Sequence, residues 1–374
     1  MGFKIAILGS RGYPCVYSGY ETLVRELAER LVAAGHEVTV YNHRHLFPSK
    51  PRTLNGVRLV YLPTFARKNL SQFVHSLQAA IHASLHRFDI VLAVNSANGP
   101  FGLLFRLSRK LSAINIDGLE WRRPKWKGWG SRYFYWASRM AVRLYDVIIA
   151  DCRAMADIYR GEFGAHPVTI SYGAYVLKPR DPVRLERWGL ASRDYYLIVG
   201  RLIPDNNVEF MIREFLGTGS RRKLVVVGDV PYRDAYALRL KNMDDPRLAF
   251  TGYIRDQEEL GELYQHCYAY LHGHEFGGTN PSLLTALGCG CALCALDTVF
   301  SREVLEDGVY GLLFSKKRGD LAATLRWMED SPKYLEGMRS KSPGRIAGRY
   351  SWEGVASQYL HLFQKMIDSR GARP

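Results

Sequence analysis

Four short stretches of this 374-residue chain combine residue types that handle phosphate, hydroxyl groups or protons. Gly9-Ser10-Arg11-Gly12 runs on to Ser18-Gly19 at an expected helix start. Glycines let a ligand approach the backbone, and free N–H groups with the helix dipole attract anions. The spacing is not that of a dinucleotide fingerprint, and no acidic residue ends the second strand, so a purely structural turn stays open. Val199-Gly200-Arg201-Leu202 places a cation just beyond a strand, where a guanidinium can hold a diphosphate through paired hydrogen bonds. His272-Gly273-His274-Glu275-Phe276-Gly277-Gly278-Thr279-Asn280-Pro281-Ser282 is a strand end and a glycine-rich loop. Asn280 is its expected N-cap and Pro281 opens the first helical turn. That order makes an anion site. The His-x-His pair alone is too small a ligand set for a metal.

The fourth stretch, Ile116 to Lys127, carries Asp117 and Glu120 just past a strand, followed by Trp121, Arg122, Arg123, Lys125, Trp126 and Lys127. Residues 122–143 hold seven Arg or Lys, no Asp or Glu, and three Trp. Two readings follow: a solvated basic helix, or a surface for anionic lipid headgroups or a lipid diphosphate. The second is the expectation.

The elements that position these loops alternate strand and helix. Strands are predicted at 3–9, 37–41, 57–62, 89–94, 112–116, 146–150 and 168–171. After a Pro- and Gly-interrupted junction at 172–193 they resume at 195–199, 223–227, 248–250, 267–271 and 291–296. Ser18 and Glu21 form an expected capping box, and Leu23, Val24, Leu27 and Leu31 repeat at helical spacing. Trp352, Val355, Tyr359, Phe363 and Met366 mark one face of a last helix. The fold class is α/β: two Rossmann-like, doubly wound domains facing a cleft, with ligands expected at the carboxyl ends of the strands. The expected domains are 1–175, 176–350 and a closing helix at 351–374.

Bulk properties agree. The chain exceeds one hydrophobic core, and 47% apolar with 23% charged residues describes a globular protein. An excess of 51 Lys and Arg over 36 Asp and Glu, net +15, calls for an anionic partner. The basic stretch lacks a nucleic-acid-reading motif, so the partner expected is a membrane face. The longest uncharged apolar candidate, 286–296, is too short to span a bilayer, and the first residues are strand-like, not a signal core. Six unevenly spaced cysteines suit a reducing cytoplasm. Cys291-x-x-Cys294 reads as core thiols, without a second pair at zinc-ligand spacing.

Four ordered motifs carry a family resemblance. They are Ile7-Leu8-Gly9-Ser10-Arg11-Gly12-Tyr13-Pro14 with Ser18-Gly19-Tyr20-Glu21-Thr22; Asp117-Gly118-Leu119-Glu120-Trp121-Arg122-Arg123 with Lys125-Trp126; Gly200-Arg201-Leu202-Ile203-Pro204-Asp205-Asn206-Asn207; and the loop from His272 to Leu284. Over residues 3 to about 365 the chain resembles the bacterial rhamnosyltransferase branch of the family-four retaining glycosyltransferases. The resemblance implies a GT-B fold, a last helix that crosses back onto the first domain, a nucleotide-sugar donor in the C-terminal domain, an acceptor mainly in the N-terminal one, and neither metal nor cofactor. Members of the branch move rhamnose, typically from a dTDP-sugar, to lipid-diphosphate-linked saccharides at the inner face of the cytoplasmic membrane.

It further implies donor contacts at Gly12, Gly19, Arg201, Asn206, His274, Gly277, Gly278, Thr279, Asn280 and Thr285. Asp117 is the implied acceptor-side base or orienting group, with Glu120 as alternate, and Arg201 supports the leaving diphosphate. Residues 121–127 are the implied acceptor and membrane contact. Two departures stand out. The wider family's two glutamates fall on Gly277 and Thr285, and its lysine falls on Asn206. The competing functions are another NDP-sugar transferase, a nucleotide-sugar epimerase and a catalytically weak homologue.

Overall fold

The computed structural model describes residues 2–14, 19–64, 70–124, 126, 128–230 and 234–371. Ser18, Lys125 and Lys127 lie outside them, so the capping box and two of the basic positions are not described. The chain forms two compact units: one of residues up to Tyr172 together with the segment from Trp352, the other Gly173–Ser351.

The first unit contains β1 (Lys4–Leu8), α1 (Gly19–Ala33), β2 (Glu37–His43), β3 (Thr53–Leu54), β4 (Val57–Leu62), α2 (Leu70–Leu85) and β5 (Ile90–Val94). It continues with α3 (Gly102–Leu107), β6 (Leu111–Ile116), α4 (Trp129–Leu144), β7 (Val147–Ala150), α5 (Arg153–Phe163) and β8 (Val168–Thr169). The eight strands lie in the order β3-β4-β2-β1-β5-β6-β7-β8. All neighbours are parallel except the short β3–β4 pair. β5 is fully buried from Ile90 to Val94, and Ile5 to Leu8 of β1 are equally so. Helices on both faces of a parallel sheet require such unbroken apolar runs. Gly9, at φ +100°, turns the chain out of β1, where a Cβ would lie 2.3 Å from the Val94 carbonyl oxygen.

The second unit contains β9 (Tyr195–Val199), α6 (Val208–Leu216), β10 (Lys223–Val227), α7 (Ala235–Lys241), β11 (Leu248–Gly252), α8 (Gln257–His266) and β12 (Ala269–His272). There follow α9 (Pro281–Gly288), β13 (Leu293–Leu296), α10 (Val299–Leu305), β14 (Leu312–Phe314), α11 (Asp320–Asp330) and α12 (Pro332–Arg349). Its sheet is parallel throughout, in the order β11-β10-β9-β12-β13-β14. Buried tyrosines are satisfied by backbone: Tyr195 donates to the Leu263 carbonyl at 2.8 Å and Tyr268 to that of Met328 at 2.7 Å. A buried hydroxyl without a partner would cost about 1–3 kcal/mol.

α13 (Trp352–Gly371) belongs to the first unit. Trp352, Val355, Tyr359, Phe363 and Met366 are all buried. The Asn115 amide of β6 donates to the Tyr359 hydroxyl at 2.9 Å, and Glu353 pairs with Arg30 of α1 at 2.9 Å. Thus the doubly wound α/β architecture and its returning helix are both present. The expected strand at 291–296 starts at Leu293, because Cys291 and Ala292 first leave the α9 turn. That expected at 267–271 is shifted to Ala269–His272.

Cys267 and Cys291 are buried, with sulfurs 3.9 Å apart, and each thiol donates to the Tyr264 carbonyl. Burial pushes the Cys289, Cys291 and Cys294 thiols up, which keeps them protonated and inert. Among the described residues no three His, Cys, Asp or Glu are grouped to hold a metal, and no helix is long and apolar enough to cross a membrane.

Candidate active site

In the second unit three strand ends converge. Gly228, after β10, has φ +128°, and a Cβ there would lie 2.0 Å from the Gly200 carbonyl oxygen. Only glycine permits that approach. Asn206 is 4% exposed and donates from its amide to the Arg201 carbonyl at 2.8 Å, so it fixes the loop that presents Arg201. The Arg201 side chain itself is exposed and engages no partner among the described residues. Of the two departures noted above, Asn206 thus has its amide committed inside the protein.

The β12 strand ends at His272, whose ring stacks on His274 with centroids 4.5 Å apart. Burial lowers the His272 pKa to about 3, so this imidazole is neutral at physiological pH. Its Nδ1 meets the Tyr270 hydroxyl at 3.2 Å; that hydroxyl lies 3.0 Å from the Ser282 hydroxyl, which donates to Asn280 Oδ1 at 2.8 Å. The Asn280 oxygen also accepts from the Ser282 N–H at 3.0 Å and so caps α9. This polar chain holds the N-terminus of α9 against the end of β12. His272, His274, Gly277, Gly278, Asn280 and Phe300 border a small hollow there. A Cβ added at Gly277 would meet no atom within 4 Å, so the loop is open on this side. Glu275 is tied down by Lys316 at 2.6 Å and Asn207 at 3.3 Å, and Thr279 is buried.

Thr285 lies one turn into α9. Its hydroxyl donates to the Pro281 carbonyl at 2.9 Å, which leaves only its lone pairs for a ligand. Thr285→Glu restores a carboxylate at this half-exposed position and is expected to tighten nucleoside diphosphate binding about tenfold, or about 1.4 kcal/mol, by calorimetric titration. Weaker binding of both dTDP and UDP would mean that the pocket is built around threonine.

In the first unit Asp117 directly follows β6. The Tyr172 hydroxyl donates to its Oδ2 at 2.8 Å, and the Tyr20 hydroxyl bonds to the same carboxyl. Burial nevertheless raises the Asp117 pKa to about 6, opposed by the two tyrosines and the Arg123 charge and reinforced by Glu120. Asp151, fully buried after β7, is a further carboxylate at this sheet edge. A carboxyl poised near neutrality between two donors can orient a hydroxyl and take its proton.

Glu120 is different. One oxygen pairs with Arg123 at 2.9 Å and the other accepts from the Trp126 indole at 2.7 Å. It braces the loop. The described side chains of the expected lipid-facing set also have partners within the unit. Trp121 packs edge-on against Tyr135, Tyr159 and Phe163, Arg122 pairs with Glu162, and Trp126 lies on Phe134. Both tryptophans are half-buried, and the two arginines pair with carboxylates, exposed Arg122 with Glu162 and Arg123 with Glu120. The Gly12 N–H points to the Ser10 hydroxyl at 3.3 Å. Gly19 opens α1, one residue before Tyr20.

Tyr20, Tyr172 and Asp151 escaped the sequence reading. Asp151 follows a predicted strand just as Asp117 does, and that position was signal enough. Tyr172 stands 55 residues from its partner, with nothing local to betray the pairing.

Residues 18–173 match the glycosyl transferase 4-like domain and residues 193–330 the glycosyl transferases group 1 family. The chain is 23% identical over 339 residues to an alpha-maltose-1-phosphate synthase of Mycolicibacterium smegmatis, covering 84% of this chain and 86% of that protein. It is 25% identical over 179 residues to a probable sucrose-phosphate synthase of Thermosipho melanesiensis, where the match spans 45% of this chain and only 41% of the relative. Among solved structures, sucrose-phosphate synthase from Thermosynechococcus elongatus superposes with TM-score 0.83 at 17% identity, over 98% of this chain and 99% of that one. Anabaena HepE in complex with UDP gives 0.77 at 15% identity, over 97% and 100%. The two domain matches follow one another across most of the chain, and the fold is that of the two-domain GT-B enzymes. The chain therefore carries a glycosyl transferase 4-like domain followed by a glycosyl transferases group 1 domain, on a two-domain GT-B fold.

Proposed function

We propose that this glycosyltransferase moves a sugar, L-rhamnose from dTDP-rhamnose, onto a lipid-diphosphate-linked saccharide during bacterial surface polysaccharide synthesis, with retention at the anomeric carbon and without a metal. The observation that carries the reading is the glycine-rich loop of the second unit, with its Asn280-capped helix start and the open face of Gly277. A helix N-terminus and an unengaged Arg201 suit a nucleoside diphosphate. HepE, which shares the fold, is complexed with UDP.

In this reaction the bond from the donor's anomeric carbon to the diphosphate breaks as the acceptor oxygen bonds to that carbon. The growing phosphate charge is met by Arg201 and the amides of the 277–280 loop. The acceptor proton passes to the departing phosphate oxygen or to Asp117, whose pKa of about 6 lets it accept.

A thermal-shift panel of dTDP-, UDP- and GDP-sugars tests the donor, because a ligand raises stability in proportion to its occupancy of the folded state. The dTDP compounds are expected to give the largest shift, unchanged by EDTA. A larger shift with UDP-sugars would favour the ligand of the Anabaena relative, and no shift with any of them would overturn the reading.

A further inference from the structure

The exposed side of α4 has no role in the chemistry above and an unusual composition. Trp129, Arg132, Trp136, Arg139 and Arg143 recur at alternating steps of three and four, which places them on one stripe of the helix. The opposite stripe, Ala137, Ser138 and Ala141, is wholly buried. Gly99 packs there so closely that a Cβ would lie 1.9 Å from the Ala137 carbonyl oxygen. The outer stripe is therefore held outward. Trp129 is 84% exposed and Trp136 47%. The Arg132 guanidinium lies over the Trp129 ring, 5.8 Å from its centre. Among the described residues no carboxylate pairs with Arg132, Arg139 or Arg143, and α4 contains no Asp or Glu.

Two exposed indoles among unpaired arginines are costly in water alone and suit the boundary between headgroups and acyl chains. From these observations we infer that α4 docks on an anionic lipid bilayer through this stripe, the indoles entering the interface and the arginines meeting lipid phosphates. The surface thus extends beyond the 121–127 loop, whose tryptophans are half-buried and whose described arginines pair with carboxylates.

The helix is also tied to the Asp117 loop. Ser131 donates to the Trp121 carbonyl at 2.7 Å, and Trp126 joins Phe134 of α4 to Glu120. A docked α4 carries that loop with it to the headgroup layer, where a lipid diphosphate lies. This use of the contact rests on the acceptor proposed above; the contact itself does not.

Flotation of the full chain with vesicles tests the inference. Binding is expected to phosphatidylcholine vesicles that contain phosphatidylglycerol, to weaken with salt, and to be at least tenfold poorer with phosphatidylcholine alone. The triple variant Arg132→Glu, Arg139→Glu, Arg143→Glu should lose roughly a hundredfold in affinity, since each basic residue near such a surface is worth about fivefold. Its dTDP binding should be unchanged, which shows that it is folded. If it does not fold, Trp129→Ser with Trp136→Ser serves instead, with at least a tenfold loss expected. Unchanged flotation of the folded variant, or no binding of wild type to the anionic vesicles, overturns the inference, as would capture of duplex DNA in place of vesicles. Loss of dTDP and UDP binding in wild type with flotation intact would instead count against the donor reading alone.

Discussion

Asp117→Asn is expected to slow sugar transfer at least tenfold and, at pH 8, to make the first unit more stable than in the wild type. The two effects have one cause. The folded protein holds this carboxyl at about pKa 6, against 3.8 for the unperturbed group, mainly because desolvation at this half-buried site disfavours the charged form. Between those values the folded state binds more protons than the unfolded one, so wild-type stability falls as pH rises from about 3.8 to 6 and stays low above. A shift of about two units corresponds to ~3 kcal/mol, which asparagine, permanently neutral and of the same shape, does not forfeit. Its melting temperature should exceed that of wild type by several degrees at pH 8 and match it near pH 4. In kinetics the wild-type rate should rise through about pH 6 as the carboxylate forms, and the variant should lack that limb. Donor binding, assigned to the second unit, should be intact. A variant with normal turnover removes Asp117 from the chemistry; one that is slow but no more stable at pH 8 shows that the carboxyl is not desolvated.

Arg201→Ala is expected to weaken nucleoside diphosphate binding about tenfold to a hundredfold, and Arg201→Lys less. Charge-assisted hydrogen bonds are worth ~1.5–3 kcal/mol, and lysine keeps the charge without the paired geometry. Because the guanidinium is exposed and engages no described residue, the alanine variant should melt at the wild-type temperature. Calorimetric titration with dTDP separates the outcomes: equal affinity in wild type and the alanine variant would place the diphosphate elsewhere. Asn206→Ala is a useful companion. It leaves the cation in place but frees the loop that Asn206 fixes through the Arg201 carbonyl, so its loss should fall between the other two.

Much of the framework was legible because burial imposes period on the sequence. The unbroken apolar runs of β1 and β5 and the five-residue face of α13 are what a two-sided parallel sheet and a packed helix demand. The Asn280–Pro281 helix start was legible from its capping chemistry. Strand β14 was missed, since three residues at a sheet edge carry no pattern. Side-chain pairing was the harder matter. Composition marked residues 122–143 as basic and aromatic, but could not say that Trp121 and Trp126 turn inward while Trp129 and Trp136 turn out, which depends on where α4 meets Gly99 and on the loop before it. Tyr20 and Tyr172 reach Asp117 only because the sheet brings the ends of distant segments to one edge.

The central claim is transfer of a sugar from a nucleotide donor to a lipid-linked acceptor. Its most direct measurement is mass spectrometry of the products after incubating the purified chain with dTDP-rhamnose and a lipid-diphosphate-linked saccharide. The expected result is an acceptor heavier by one deoxyhexose and one dTDP released per transfer, with NMR of the product showing the anomeric configuration of the donor. Conversion of the donor at the same rate without acceptor, or an unmodified acceptor with each of the dTDP-, UDP- and GDP-sugars, would contradict it.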